Sequence, residues 1–295
     1  MTGRCECDIL KAVNRLTYPW KRLVCSGPGG AAIGEGAVFP QRGRFRRTGG
    51  SQRKGADGMA ERLDKILSSQ GAATRREAQR LIRSGKVTVD GTVQRDPSVK
   101  VDPETCEIVH SGRTLLYRRH LYVMLNKPAG LLCVSRDPQA ATVIDLLPPD
   151  LRRQGLFPAG RLDKDTVGLV IITDDGDFAH RMLAPKKEIV KRYRAVVDGP
   201  VGEEEAAVFA AGTSLKDGTR CRPAKLRIVE PGNHPLVEVE ITEGRYHQIK
   251  RMFLSVNRRV LWLKRMSIGK LLLDPALKEG ECREIGPEER SAVFQ

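Results

Sequence analysis

The stretch GRLDKDTVGLVIITDDG, residues 160–176, limits the fold more than any other part of the chain. An apolar run, Val167 to Ile172, lies between two pairs of aspartates, Asp163 and Asp165 before it and Asp174 and Asp175 after it. The run is short and does not alternate with polar residues, so it reads as a strand buried on both faces. The carboxylates then fall in the turns at its two ends. Asp174-Asp175-Gly176 has turn chemistry, and a solvated turn is expected there. Asp163 and Asp165 lie in a loop that also carries Gly160 and Arg161. A carboxylate close to an apolar strand but beside Arg161 has a counter-ion that keeps it ionised in a partly buried site. Sequence physics alone leaves this loop open between chemistry and a plain ion pair.

Other segments set the class. LYVMLNKPAG reads as a buried strand ending in a Lys-Pro turn, and KRYRAVVDG and LVEVEITEG alternate as strands. GRYHQIKRMFLSV carries Ile249, Met252, Phe253 and Val256 at helical spacing. Strands outnumber helices and several are joined by turns, so the expectation is an α+β domain on a mostly antiparallel sheet. The 295 residues leave room for a second domain. No apolar run reaches the roughly 18 residues of a membrane helix. The net charge of +15 points to an anionic partner, of which nucleic acid is the commonest. The seven cysteines are scattered without C-x-x-C spacing, which predicts free thiols in a cytoplasmic protein and no zinc site. No glycine pattern of a nucleotide cofactor site is present.

Residues 1–58 differ from the rest. They are rich in glycine and arginine, hold +7 of the net charge and show no sustained period, so a disordered basic extension is expected. Met59 opens a well-patterned segment at once and is a plausible true start. Leu63, Ile66 and Leu67 share one helical face. Thr74-Arg75-Arg76-Glu77 fits a capping box that starts a second helix, with Ala78, Leu81 and Ile82 as its apolar stripe and Gly85 at its close. KVTVDGTV then predicts a hairpin turning at Asp90-Gly91. The polar side of this module carries Arg75, Arg76, Arg80, Arg83 and Lys86, a set suited to RNA phosphates. The segment 59–106 resembles the alpha-L RNA-binding module found in a small-subunit ribosomal protein and joined to many RNA-modifying enzymes.

Two known chemistries match the aspartate loop. DKDTV fits the D-x-D-x-[TV] pattern of haloacid-dehalogenase-type phosphatases, but that pattern closes a hydrophobic strand, whereas here the apolar run follows it. The second match is broader. GRLDKDTVGLVIITDDG resembles the central motif of the RsuA/RluB-type pseudouridine synthases. LNKPAG (125–130) is similar to that family's first motif, VKRYRAVVDG (190–199) to its lysine-x-tyrosine strand, EGRYHQIKRMF (243–253) to its third motif, and SIGKLLLDPALKEGECREI (267–285) to its closing segment. The resemblance covers residues 59–288.

What the resemblance implies is specific. The boundaries become 59–106 for the RNA-binding module, 107–119 for a linker, 120–288 for the catalytic domain and 289–295 for a tail. Asp163, the aspartate of GRLD, is the catalytic residue, and Asp165 has a surface or loop role. Lys250 is the cation beside the catalytic carboxylate, Arg161 helps displace the flipped base, and Tyr193 and Ile249 pack on the uracil. His247, by contrast, is expected to hold backbone structure. The reaction detaches uracil from C1′ and rejoins it through C5, so neither a cofactor nor a metal is needed. The partner is ribosomal RNA in a partly assembled particle, the enzyme a monomer without membrane attachment. The third motif, with tyrosine before histidine and lysine after isoleucine, leans toward the small ribosomal subunit. The alternatives are a large-subunit enzyme and, from another class, a non-catalytic RNA-binding or assembly factor.

Overall fold

The computed structural model describes residues 60–295; the expectations for 1–58 and for Met59 lie outside the described residues. In chain order the strands are β1 (Glu61–Arg62), β2 (Val87–Val89), β3 (Thr92–Gln94), β4 (Lys100–Val101), β5 (Ile108–His110), β6 (Arg113–Thr114), β7 (Tyr122–Lys127), β8 (Phe157–Ala159), β9 (Val167–Thr173), β10 (Lys191–Val197), β11 (Lys225–Glu230), β12 (Leu236–Ile241), β13 (Val260–Ile268), β14 (Leu271–Leu272) and β15 (Cys282–Glu284). The α-helices are α1 (Leu63–Ser69), α2 (Arg75–Arg83), α3 (Gly176–Leu183), α4 (Glu203–Ala211), α5 (Gln248–Ser255) and α6 (Pro287–Ala292).

The first part is the small basic module. Leu63, Ile66 and Leu67 of α1 are fully buried with Ala78 and Ile82 of α2. Thr74 accepts from the Glu77 backbone while the Glu77 carboxylate accepts from the Thr74 backbone, so the expected capping box starts α2. β2 and β3 form the expected hairpin; Asp90 and Gly91 both take positive φ, as a two-residue primed turn requires. The module runs further than its sequence signal. β5 pairs with β2, β6 pairs with β5, and Ile108 lies in the module's core. The expected linker 107–119 therefore holds two strands of this sheet. Short strands with a single apolar anchor leave too little period to read.

The second part is a nine-stranded mixed sheet whose main path runs β11-β12-β10-β13-β9-β7-β15, with β14 beside β13 and β8 beside β9. Every pair is antiparallel except β9 with β13. β9 sits inside the sheet with all seven residues buried. Val170 and Ile172 face one core with Val123, Leu125 and Tyr193, while Leu169 and Ile171 face the other with Tyr122, Met124 and Phe178. Cover on both faces is why the sequence shows an unbroken apolar run.

Three expectations are corrected here. Asp174-Asp175-Gly176 is not a solvated turn. Asp175 caps α3 by accepting from the Phe178 backbone at 2.9 Å and from the Tyr122 hydroxyl at 2.5 Å. Asp174 pairs with Arg153 and accepts from the Leu121 backbone. Residues 289–295 are no tail: α6 continues to Ala292, and Val293 is fully buried in the second core. Arg153 also donates to the Arg118 carbonyl at 2.7 Å, and Gln70 of the module exchanges two hydrogen bonds with the Arg118 backbone. One guanidinium thus ties the large sheet to the segment that holds the module, which is a contact rather than a free linker.

Gly168 shows how close the β9–β13 crossing is. It has a φ of +103°, and a Cβ placed there would stand 2.4 Å from the Arg265 carbonyl oxygen. Both backbone conformation and space exclude a larger residue. Gly168→Ala is expected to cost about 3 kcal/mol or more, from positive-φ strain plus overpacking. Thermal unfolding of the variant checks this, and an unchanged midpoint would contradict it.

Candidate active site

The site forms where the start of β9, the end of β7, the start of β10 and the turn before α5 converge. The segment 160–166 is fixed from below. Lys127, the last residue of β7, is fully buried and pairs with no carboxylate among the described residues. Its ammonium donates to the carbonyls of Pro128 (3.0 Å), Asp163 (3.2 Å), Lys164 (3.2 Å) and Thr166 (2.9 Å). Burial pushes this lysine below its ordinary pKa. The Thr166 amide closes a turn onto the Asp163 carbonyl at 3.1 Å. The backbone at Asp163 is thereby held while its carboxylate stays partly open to solvent.

The carboxylate meets Lys250 of α5. Its Nζ lies 3.1 Å from Asp163 Oδ2 and 2.6 Å from Asp165 Oδ1. Burial works against the ammonium, but its hydrogen bonds to Asp165 and Asp163 outweigh this and raise the Lys250 pKa. Burial would likewise lift the Asp165 carboxyl, yet the Lys250 hydrogen bond and charge hold it below the usual carboxylate range. One cation therefore serves two carboxylates, and Asp165, expected to have only a surface or loop role, shares it. Arg161 makes no ion pair with Asp163 among the described residues, so the expected local counter-ion is replaced by one 87 residues further along the chain.

His247 was also expected to serve only the backbone. It does occupy the left-handed region at the start of α5, with φ of 48°. Its Nε2 nevertheless stands 3.5 Å from Asp163 Oδ1.

Two connected spaces open above the carboxylate. A recess of about 80 Å³ is lined by Arg161, Asp163, Tyr193, Ile249 and Lys250, all five of the residues expected at the reacting centre. Tyr193 and Ile249 are buried on the core side of this recess. A register shift between β10 and β13 at Arg192/Tyr193 sets Tyr193 opposite Arg265, whose guanidinium donates to the Tyr193 hydroxyl at 3.5 Å and to the Leu169 carbonyl at 2.7 Å. Arg265 was missed in the sequence because nothing distinguishes it from other strand arginines. Lys127 had a visible signal, a lysine closing an otherwise apolar strand before proline. The larger space, about 850 Å³, shares Arg161, Asp163 and His247 and extends past Lys191, Arg222 and Tyr246. The module cations Arg75, Arg76, Arg80, Arg83 and Lys86 are all exposed, though Arg75 lies 3.6 Å from the buried Asp64 carboxylate. Asp64 accepts two bonds from Arg62 and one from Gln79, which hold its pKa at about 2.

A family profile described as RNA pseudouridylate synthase matches residues 121–255, and an S4 domain profile matches residues 61–105. An uncharacterized RNA pseudouridine synthase of Bacillus subtilis, YtzG, is 41% identical over 229 residues, covering 77% of this chain and 96% of that protein. The chain belongs to the RNA pseudouridine synthase family. It is an RNA-modifying isomerase with an S4 RNA-binding domain, and the α+β expectation agrees with its fold. The ribosomal small subunit pseudouridine synthase A of Salmonella typhimurium is 41% identical, with 79% of this chain and 99% of that protein covered. The Escherichia coli K12 protein of the same name is 40% identical over the same shares. A crystal structure of a pseudouridylate synthase matches with a TM-score of 0.54 at 36% identity, covering 79% of this chain and all of that one.

Lys191 supplies a pH test of the larger space. It is buried, donates to the Ile189 carbonyl, and has its pKa lowered to about 8 by burial first and by Arg265 second. A lysine depressed in the folded state costs stability while protonated, so the penalty is complete below about pH 8 and fades as pH rises toward the ordinary lysine value. Lys191→Met should therefore stabilise the fold near pH 7 by roughly 1–3 kcal/mol. The gain should shrink above pH 8, and RNA should bind more weakly. Melting curves across this range check it; a pH-independent difference would contradict the account.

Proposed function

We propose that this chain converts one uridine of small-subunit ribosomal RNA into pseudouridine, with Asp163 as the catalytic carboxylate. The observation that carries the assignment is the Asp163 carboxylate, paired with Lys250 at 3.1 Å at the floor of a recess walled by Tyr193 and Ile249. Lys250 sets a positive charge beside this carboxylate, and both routes open to this reaction use a carboxylate at that place. In one, Asp163 attacks C1′; in the other it removes the proton at C2′. Either route needs the uracil drawn out of the RNA stack, at a cost of a few kcal/mol recovered through phosphate and aromatic contacts. Tyr193 offers the flipped uracil a flat face and Ile249 packs on the same ring. Arg161, exposed at the mouth, helps fill the gap the base leaves. The reaction neither oxidises nor donates a group, so these side chains suffice.

The small-subunit choice rests on the relatives named ribosomal small subunit pseudouridine synthase A and on the EGRYHQIKRMF segment. We further propose that the enzyme works as a monomer on a partly assembled ribosomal particle in the cytoplasm. The cations Arg75, Arg76, Arg80, Arg83 and Lys86 grip phosphates there while the recess takes the target base. No helix among the described residues is long and apolar enough to cross a membrane.

Carbodiimide labelling with primer extension, on ribosomal RNA treated with and without the protein, should show one new stop in small-subunit RNA. A stop confined to large-subunit RNA would reverse the substrate and leave the enzyme class intact. Asp163→Asn should abolish the stop while keeping RNA affinity. Asp165→Asn should retain turnover, since Lys250 then serves Asp163 alone; the opposite order of losses would move the catalytic role two residues along. In the module, alanine at Arg76, Arg80 and Arg83 should weaken RNA binding and flatten its log-log salt dependence by about one unit per lost phosphate contact. Arg75 is left in place because it braces Asp64. An unchanged salt slope would mark a solvated face.

A further inference from the structure

Two aromatic residues face the site, and they address different spaces. Tyr193 lines only the small recess beside Asp163, while Tyr246 lines only the larger space. Tyr246 is 73% exposed, an unusual state for a large ring beside a reacting centre. It lies flat on the His247 imidazole, with centroids 3.9 Å apart and planes at 17°. His247 in turn reaches Asp163.

The turn carrying this pair is tightly held. The Glu243 carboxylate accepts from the Arg222 backbone (2.9 Å), from Gln248 Nε2 (2.7 Å) and from Arg245 Nε (3.0 Å), and the Arg245 amide donates to Gln248 Oε1 at 2.9 Å. Gln248 itself is buried. An exposed ring on a fixed turn loses little further freedom when a ligand covers it, so contact there is converted efficiently into affinity. Its surroundings select the ligand. Arg161 and Lys191, which pair with no carboxylate among the described residues, line the same space and suit the anionic backbone of RNA, while Arg222 and Arg245 beside them are paired with Glu188 and Glu243. An aromatic surface beside a basic groove is the usual means of holding an unstacked base of a single strand. The volume of about 850 Å³ lies in the range of roughly 300–1,000 Å³ typical of whole-ligand pockets, beyond what one uracil in the adjoining recess requires.

We propose that the stacked Tyr246–His247 pair is a second base site, a shelf on which the nucleobase adjacent in sequence to the target uridine stacks while the uracil enters the recess at Asp163. The shelf rests on the reading that the chain modifies a uridine in ribosomal RNA, whichever subunit supplies it. It assigns Tyr246 to substrate grip rather than to bond making.

The test uses the full chain and an RNA fragment containing the mapped uridine. Tritium release from C5-labelled uridine gives kcat and KM. Stacking on an aromatic is worth about 1–3 kcal/mol per base, so Tyr246→Ala should raise KM about 5- to 150-fold and leave kcat nearly unchanged, whereas Tyr246→Phe should keep the wild-type KM. In parallel, 2-aminopurine replaces in turn the nucleotides immediately before and after the target, and binding is followed with Asp163→Asn protein. One of the two positions should be quenched on binding, and adding Tyr246→Ala should abolish that quenching. If wild-type protein releases tritium but the Tyr246→Ala variant matches it in KM and in quenching at both positions, the shelf is wrong. If wild-type protein releases no tritium from any ribosomal RNA, the proposed function has failed instead.

Discussion

The geometry at Asp163 depends on one buried ammonium. Lys127 brings an ammonium into the sheet with no carboxylate in hydrogen-bond reach among the described residues, and four backbone carbonyls accept from it instead. A buried charge is costly unless hydrogen bonds replace its water. That cost sets the shape of the loop, because the loop conformation that offers these carbonyls together is the one that satisfies the lysine. The carbonyls of Asp163 and Lys164 accept from Lys127, while the Asp163 side chain meets Lys250. The backbone of Asp163 is thus held by a lysine that does not hydrogen-bond its carboxylate.

The sheet supplies the rest of the alignment. The crossing at Gly168 brings β9 against β13 closely enough for Arg265 to reach both the Leu169 carbonyl and the Tyr193 hydroxyl. The register shift in β10 sets Tyr193 opposite Arg265, and its ring lines the recess. Lys250 arrives on α5, whose start is set by the left-handed His247 and by the Glu243 network. Because Lys250 is a point charge, it can hold Asp163 and Asp165 at once, which a planar guanidinium would do in a more restricted geometry.

Features resting on local pattern were legible in the sequence. The β9 run, the Thr74 capping box and the Asp90-Gly91 hairpin each carry their own chemical signature within a few residues. Asp163, Arg161, Tyr193, Ile249 and Lys250 were assembled through ordered motifs, and they line one recess. What depends on pairing across the chain was not legible. β5 and β6 are too short to show a period, so their segment read as a linker. Asp174 looked solvated because its partner Arg153 lies 21 residues earlier, and the His247 contact to Asp163 spans 84 residues. The counter-ion of Asp163 separates two kinds of reading: proximity in sequence favoured Arg161, while the third motif named Lys250, which is the residue that meets Asp163 in space.

The clamp at Arg153 has a consequence for the kind of RNA the enzyme accepts. With that guanidinium and Gln70 fastened to the same stretch of backbone, the S4 domain meets the catalytic sheet through a joint rather than a tether. An RNA that engages both parts must present its phosphates and its target base at a matching separation. Two RNA-binding parts held at one separation would act as a caliper on the fold of the transcript.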